Sequence, residues 1–165
     1  MPPPPTARLF FRPWTEDDFD IAFALWGDAE VTRYIGGPFP PEEVRRRLRR
    51  SVESEAEQGV QYWPMFLRES GEHVGVCGLR PYEDFYALGF HLRARYWGQG
   101  LAREAAEAVI AYAFDTLGAR ALFAGHHPQN DRSRALLTKL GFEYTHDQLY
   151  EPTGLQHKSY LLRKR

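Results

Sequence analysis

The segment Arg95-Tyr96-Trp97-Gly98-Gln99-Gly100-Leu101-Ala102-Arg103 sets two glycines between a short apolar run and the most regular amphipathic stretch of the chain. Glycine lets a backbone turn tightly and come close to a ligand. A helix beginning directly behind such a bend points its free N–H groups and the positive end of its dipole into it. Holding an oxyanion such as a pyrophosphate is the chemistry this junction suits. It is not a dinucleotide fingerprint, because Arg103 stands where the third glycine belongs, and the G-K-[ST] ending of a Walker loop is missing. Taken alone, the two glycines are explained equally well by an ordinary tight turn.

Other residue types with chemical potential are scattered. Asn130 and Asp131 stand at the head of a short amphipathic segment, with Ser133 just behind them. Asn is a good N-cap, and a serine at a helix start commonly bonds to the local backbone. His91 lies in a strand-like run, and His126 and His127 are adjacent. Neighbouring residues of a strand face opposite ways, so that pair is a poor metal site and no metal is expected. Cys77 is the single cysteine. It excludes internal disulfides and four-cysteine zinc sites, and with no activating partner it reads as a buried strand thiol.

The elements that must position these groups follow from pattern. Arg8–Pro13 is a short strand ended by proline, and Thr15-Glu16-Asp17-Asp18 opens a helix carrying Phe19, Ala22, Phe23 and Trp26 inward. Gly36–Pro41 is loop. A second helix opens at Glu42-Glu43 with a thin seam of Val44, Leu48 and Val52, and Arg45, Arg46, Arg47, Arg49 and Arg50 read as its solvated face. Strands over 62–67 and 74–79 form a hairpin through Ser70-Gly71-Glu72, and a strand over 86–92 returns antiparallel through Pro81–Asp84. Ala102, Ala105, Ala106, Val109, Ile110, Ala113, Phe114 and Leu117 recur at helical spacing. Ala121–Gly125 is a strand, Asp131–Leu140 a helix with Leu136, Leu137 and Leu140 inward, and 142–162 one or two further strands. The fold class is therefore α/β (α+β): one domain over 8–165 with a mixed, mostly antiparallel sheet flanked by helices, preceded by a flexible proline-rich leader over 1–7.

Composition narrows the function classes. The 165 residues, 43% hydrophobic and 26% charged, suit one globular domain. Twenty-one basic against 22 acidic side chains argue against a dedicated nucleic-acid binder. No apolar run approaches the roughly 18–20 residues of a membrane span, and the N-terminus lacks the features of a secretory signal. A reducing, cytoplasmic setting is the simplest fit.

The ordered set of motifs resembles the GNAT N-acetyltransferase superfamily, in its ribosomal-protein N-terminal (RimJ/RimL-like) branch. R-x-x-G-x-G-x-A at Arg95–Ala102 is similar to that family's acetyl-CoA loop. Leu9–Asp18, Val74–Leu79, Leu88–Leu92, His127–Ser133 and Lys139–Phe142 are similar to its other segments, so the resemblance spans about residues 8–162. It implies acetyl-CoA as cofactor and a primary amine, a protein N-terminus or a small molecule, as acceptor. The resemblance places Arg95, Trp97, Gly98, Gln99, Gly100, Leu101, Ala102 and Arg103 at the CoA pyrophosphate, mainly through backbone N–H groups. Main-chain groups of Phe90, His91 and Leu92 pair with the pantetheine arm and polarise the acyl oxygen. Asn130 bonds to the pantetheine, and Ser133 lies near the sulfur as proton donor to the leaving thiolate.

One position departs from that pattern. Many members carry a glutamate base where this chain has Ala87. A free α-amine has a pKa of about 8, so a modest base or a water chain suffices. His91, with the strand parity of Ala87, is the first substitute, and His126 and Glu83 are others. Trp14, Tyr34, Trp63 and Phe85 are candidates to line the acceptor pocket, each equally suited to the core. Two competing readings are a non-catalytic CoA-binding sensor, suggested by Ala87, and an RNA-associated protein using the arginine helix. Strand edges in the tail would permit a homodimer.

Overall fold

The computed structural model describes residues 1–165. In chain order it contains β1 (Leu9–Phe11), α1 (Phe19–Trp26), α2 (Pro41–Gln58), β2 (Tyr62–Leu67), β3 (His73–Tyr82) and β4 (Phe85–Leu92). There follow α3 (Leu101–Asp115), β5 (Ala121–His126), α4 (Asp131–Lys139), β6 (Glu143–Tyr150) and β7 (Leu155–Arg163). The strands make one sheet in the order β1-β2-β3-β4-β5-β7-β6. Every neighbouring pair is antiparallel except β4 with β5. The hairpins read from the sequence are present, and the tail supplies two strands, with β6 forming an open edge of the sheet.

Alternation along the strands splits the apolar residues between two cores. Cys77 and Leu79 of β3 face α3, whose Ala105, Ala106, Val109 and Ala113 are buried at the expected helical spacing. Val76 points to the other face and packs with Ala22, Leu25 and Trp26 of α1 and Val44 and Leu48 of α2. Leu137 of α4 joins the α3 core while Leu136 and Leu140 are only half-buried. The sheet is thus sandwiched, with α1 and α2 on one face and α3 and α4 on the other.

Two local expectations are revised. The helix expected from Thr15 begins with a 3-10 turn over Glu16–Asp18 and becomes α only at Phe19. The Asp18 carboxylate causes this corner: it accepts the Thr15 N–H at 2.8 Å and a two-pronged grip from Arg12 at 2.7 and 2.9 Å. Those contacts hold its pKa below the ordinary carboxylate value despite the opposing effect of burial. The shifted start turns Phe23 outward, stacked on Phe19, and brings Leu25 in.

The residues expected to form a free leader are instead docked. Pro3 is buried, the Tyr112 hydroxyl donates to the Met1 carbonyl at 2.7 Å, and the Thr6 hydroxyl donates to Glu104 at 2.6 Å. Arg68 also donates to the Thr6 carbonyl at 2.7 Å. A polyproline segment pays little conformational entropy on docking, because its φ angles are already set. Each such hydrogen bond contributes about 0.5–1.5 kcal/mol net. Removing residues 1–7 is expected to lower stability by about 1–3 kcal/mol, read as a lower urea midpoint with unchanged slope; an unshifted midpoint would mean the segment is free in solution.

Candidate active site

The site originates in a defect of the sheet. The parallel ladder of β4 and β5 lasts only two residue pairs, Tyr86 with Leu122 and Ala87 with Phe123. Beyond it β4 stays with β3 as far as Leu92, paired to Gly75, and β5 stays with β7 as far as His126, paired to Lys158. Between the diverging strands lies a cleft of about 530 Å³. Its walls include Leu137, Asn130 and Ser133 from the α4 side, and Arg47, Tyr62 and Tyr34 from the α1–α2 side. The cleft therefore connects the two faces of the sheet.

At the head of α3, Gly98 and Gly100 have φ of +75° and +77°, the left-handed region that costs other residues roughly 1–2 kcal/mol. The bend they make has a specific result. Trp97 donates its N–H to Ala94 and Glu104 donates to Gly100, while the N–H groups from Gly98 through Arg103 make no bond within the protein. A run of free N–H groups at the N-terminus of a 15-residue helix is a fitting cradle for a pyrophosphate. A Cβ on Gly98 would meet no protein atom within 4 Å, so open space for a ligand lies beside it.

The side chains of the same segment make contacts within the loop and with its neighbours. The Trp97 indole donates to the Leu92 carbonyl at 2.9 Å, and the Gln99 amide to the Arg95 carbonyl at 3.0 Å. Arg95 turns toward Glu72 at 3.6 Å, Arg103 pairs with Glu107 at 2.8 Å, and Leu101 is buried in the α3 core. Arg8 braces the bend from outside, bonding to the Gln99 carbonyl and to Glu104 at 2.9 and 2.8 Å. Of the three β4 residues expected to offer main-chain groups, Leu92 has its carbonyl committed to Trp97, whereas Phe90 and His91 line the cleft. Asn130 caps α4, its Oδ1 accepting the Ser133 N–H at 3.2 Å, and both residues also line the cleft.

On the other face the walls are aromatic and basic. Tyr34 packs on His127 at 4.8 Å between ring centres, and the Tyr62 ring lies across Gly89, where a Cβ would sit 2.3 Å from the ring. Ala87 is buried in this wall and His91 shares it, as strand parity requires. Burial, with some help from Arg47, lowers the His91 pKa to about 4. The Trp26 indole, which can only donate, reaches His91 Nδ1 at 3.4 Å. The neutral ring therefore carries its proton on Nε2, which makes His91 a hydrogen-bond donor rather than a base. His126 is tied to the His127 carbonyl at 2.7 Å and to the Tyr160 hydroxyl at 3.0 Å, and Glu83 is an exposed residue of the β3–β4 turn.

Of the aromatic residues expected around an acceptor, Tyr34 alone lines the cleft. Trp63 is fully buried in the α3 core, edge-on to Tyr112, and its indole donates to Glu55 at 3.0 Å. Trp14 is buried against Trp26 and donates to the Tyr62 carbonyl at 2.8 Å. Phe85 sits behind the wall, against Phe123. Arg47, Tyr62, Tyr150 and His157, which line the cleft, were not singled out from the sequence. Nothing in their local pattern distinguishes them, because four different elements, α2, β2, β6 and β7, bring them together. Cys77 is buried, and burial pushes its thiol far above the ordinary range, consistent with an inert core residue.

Comparison with known proteins agrees with this geometry. Residues 8–143 match the acetyltransferase (GNAT) domain family. The uncharacterised N-acetyltransferase p20 of Bacillus licheniformis is 29% identical over 143 residues, covering 84% of this chain and 80% of the relative. The crystal structure of an acetyltransferase from Agrobacterium tumefaciens superimposes with a TM-score of 0.85 at 26% identity, covering 99% and 95% of the two chains. RimL, a ribosomal L7/L12 alpha-N-protein acetyltransferase solved with coenzyme A, shares the fold with a TM-score of 0.82 at 15% identity, covering 96% and 95%. The match of residues 8–143, most of the chain, makes this protein a member of the GNAT family, an N-acetyltransferase that uses acetyl-CoA.

Proposed function

We propose that the cleft between β4 and β5 is where the acetyl group passes to a primary amine, a protein N-terminus or a small amine, by direct attack. The observation that carries this reading is the continuity of the cleft. One end adjoins α4 and Asn130, and the other opens on the aromatic wall of Tyr34 and Tyr62. Cofactor and acceptor can thus approach one point from opposite faces of the sheet.

Bound acetyl-CoA supplies an activated thioester. In this reading the N–H groups of Gly98 through Arg103 grip its diphosphate, and main-chain groups of Phe90 and His91 align the arm along β4. Asn130 contributes its amide there while still capping α4. Ser133, whose hydroxyl has no acceptor in the protein, stands ready to protonate the leaving thiolate. With Ala87 unable to take a proton and His91 a donor, the proton of the attacking amine goes to water. An acceptor amine with a pKa of about 8 loses it readily near neutral pH.

Calorimetry with coenzyme A tests the loop. Gly98→Val is expected to weaken binding at least about tenfold, through backbone strain at φ +75° and loss of the open space, whereas Gln99→Ala changes it little. A Gly98→Val protein that folds and binds as tightly as the parent would remove the loop from the site.

The reaction itself is read by thiol release from acetyl-CoA over a panel of amines. kcat/KM is expected to rise with pH along the titration of the acceptor amine, with no inflection between about pH 5 and 7, since His91 and His157 are both held to about 4 by burial. A histidine-like limb in that range would restore a histidine base. The same burial has a consequence for stability. A folded pKa near 4 against 6.5 for the free side chain means that the unfolded chain binds more protons in this window. Stability should therefore fall as pH drops from about 6.5 toward 4, a loss that His91→Gln should reduce in urea titrations.

A further inference from the structure

The five arginines of α2 do not have the same surroundings. Arg46 and Arg50 share Glu43 at 2.6 and 3.3 Å, Arg45 lies over the Phe19 ring at 3.9 Å, and Arg49 is exposed. Arg47 alone turns inward, its side chain 22% exposed, lying 3.9 Å over the Phe39 ring and forming part of the cleft wall with Tyr62 and Tyr150. No hydrogen bond within the protein uses its guanidinium, and its Nε is buried without a partner. Its nearest carboxylate, Glu43 at 3.8 Å, is already engaged by Arg46 and Arg50.

The rest of the wall reinforces this charge. Among the residues lining the cleft there is no aspartate and no glutamate, and Arg80 adds a second guanidinium. The half-buried Tyr150 phenol has its pKa raised, chiefly by desolvation, so it stays a neutral donor. A guanidinium withdrawn from water with only a shared carboxylate 3.8 Å away is costly, and a further carboxylate offers the matching two-oxygen fork. The CoA phosphates do not meet this need, because their cradle is the head of α3, on the other face of the sheet.

We infer that Arg47 anchors a carboxylate of the acceptor, so that the substrates of this enzyme carry a primary amine and a carboxylate in one molecule. The inference rests on the reading of the cleft as the place of acetyl transfer. Free amino acids and peptides with an acidic residue near the N-terminus share this chemistry. Amines with a second cation, such as polyamines, are disfavoured because that charge would sit beside Arg47 in an acid-free pocket.

The test compares acceptors that differ only in charge, followed by thiol release: free amino acids with their amides, and N-terminal Ala-Glu peptides with Ala-Gln peptides. The wild-type protein should favour the acid over its amide by about thirtyfold or more in kcat/KM, the lower end expected for truncating a desolvated charge pair. The free amino acid pair and the peptide pair tell the two sources apart. Arg47→Gln should bring the acid-to-amide ratio near one with the KM for acetyl-CoA unchanged, and Arg47→Lys should restore part of the preference. Equal rates for acid and amide with the wild type, or an equal loss for both in Arg47→Gln, would overturn the inference while leaving acetyl transfer intact. If no amine releases thiol although coenzyme A binds, the proposed function fails. The CoA-loaded protein is then titrated with N-acetylalanine and its amide: preference for the acid, lost in Arg47→Gln, supports the carboxylate site, and no preference refutes it.

Discussion

The structure depends on a parallel pairing that stops after two residues. β4 and β5 join at Tyr86–Leu122 and Ala87–Phe123 and then part, each held by an antiparallel partner on its outer side. Without those two pairs the sheet would fall into two pieces, β1–β4 and β5–β7 with β6. With a full ladder there would be no cleft. Buried backbone polar groups must find partners, so an unzipped inner edge is tolerable only where water or a ligand can reach it. The same interruption that opens the site makes the exposed edge of β4 suited to a strand-like ligand.

Two layers of packing hold the strands in this splayed position. On one face the α3 helix lies on Cys77, Leu79, Leu88 and Leu122, with Leu137 of α4 joining them. On the other, Trp14, Trp26, Val44 and Leu48 close over Val76. The cleft runs between these cores, which lets one helix start address it from one side and the arginine of another helix from the other. Gly89 belongs to the same design, because only a residue without Cβ leaves room for the Tyr62 ring against β4.

Charge is distributed along the cleft in an ordered way. Free N–H groups lie at the head of α3, and the Arg47 guanidinium, 3.8 Å from a Glu43 carboxylate that it shares with Arg46 and Arg50, lies in the cleft wall. Between them the titratable groups are neutralised by burial: His91 and His157 lose their affinity for protons, and the Tyr150 phenol keeps its own.

Local signals were enough for most of the fold. The spacing from Ala102 to Leu117 could only be an amphipathic helix, and alternation bounded by Ser70–Glu72 and Pro81–Asp84 marked the hairpins. Gly98 and Gly100 before that helix marked a tight bend with free N–H groups behind it, because positive φ and unbonded helix-start N–H groups are local properties of the chain. The surroundings of side chains could not be read that way. Trp14 and Trp63 are as aromatic as Tyr34, yet they fill cores, and Arg47 belongs to the same arginine-rich run as Arg46 and Arg49. Which of them meets the cleft depends on the face each strand presents, on where α1 begins after the Asp18 corner and on how far β4 and β5 diverge. Those are consequences of long-range packing, and only the assembled sheet decided them.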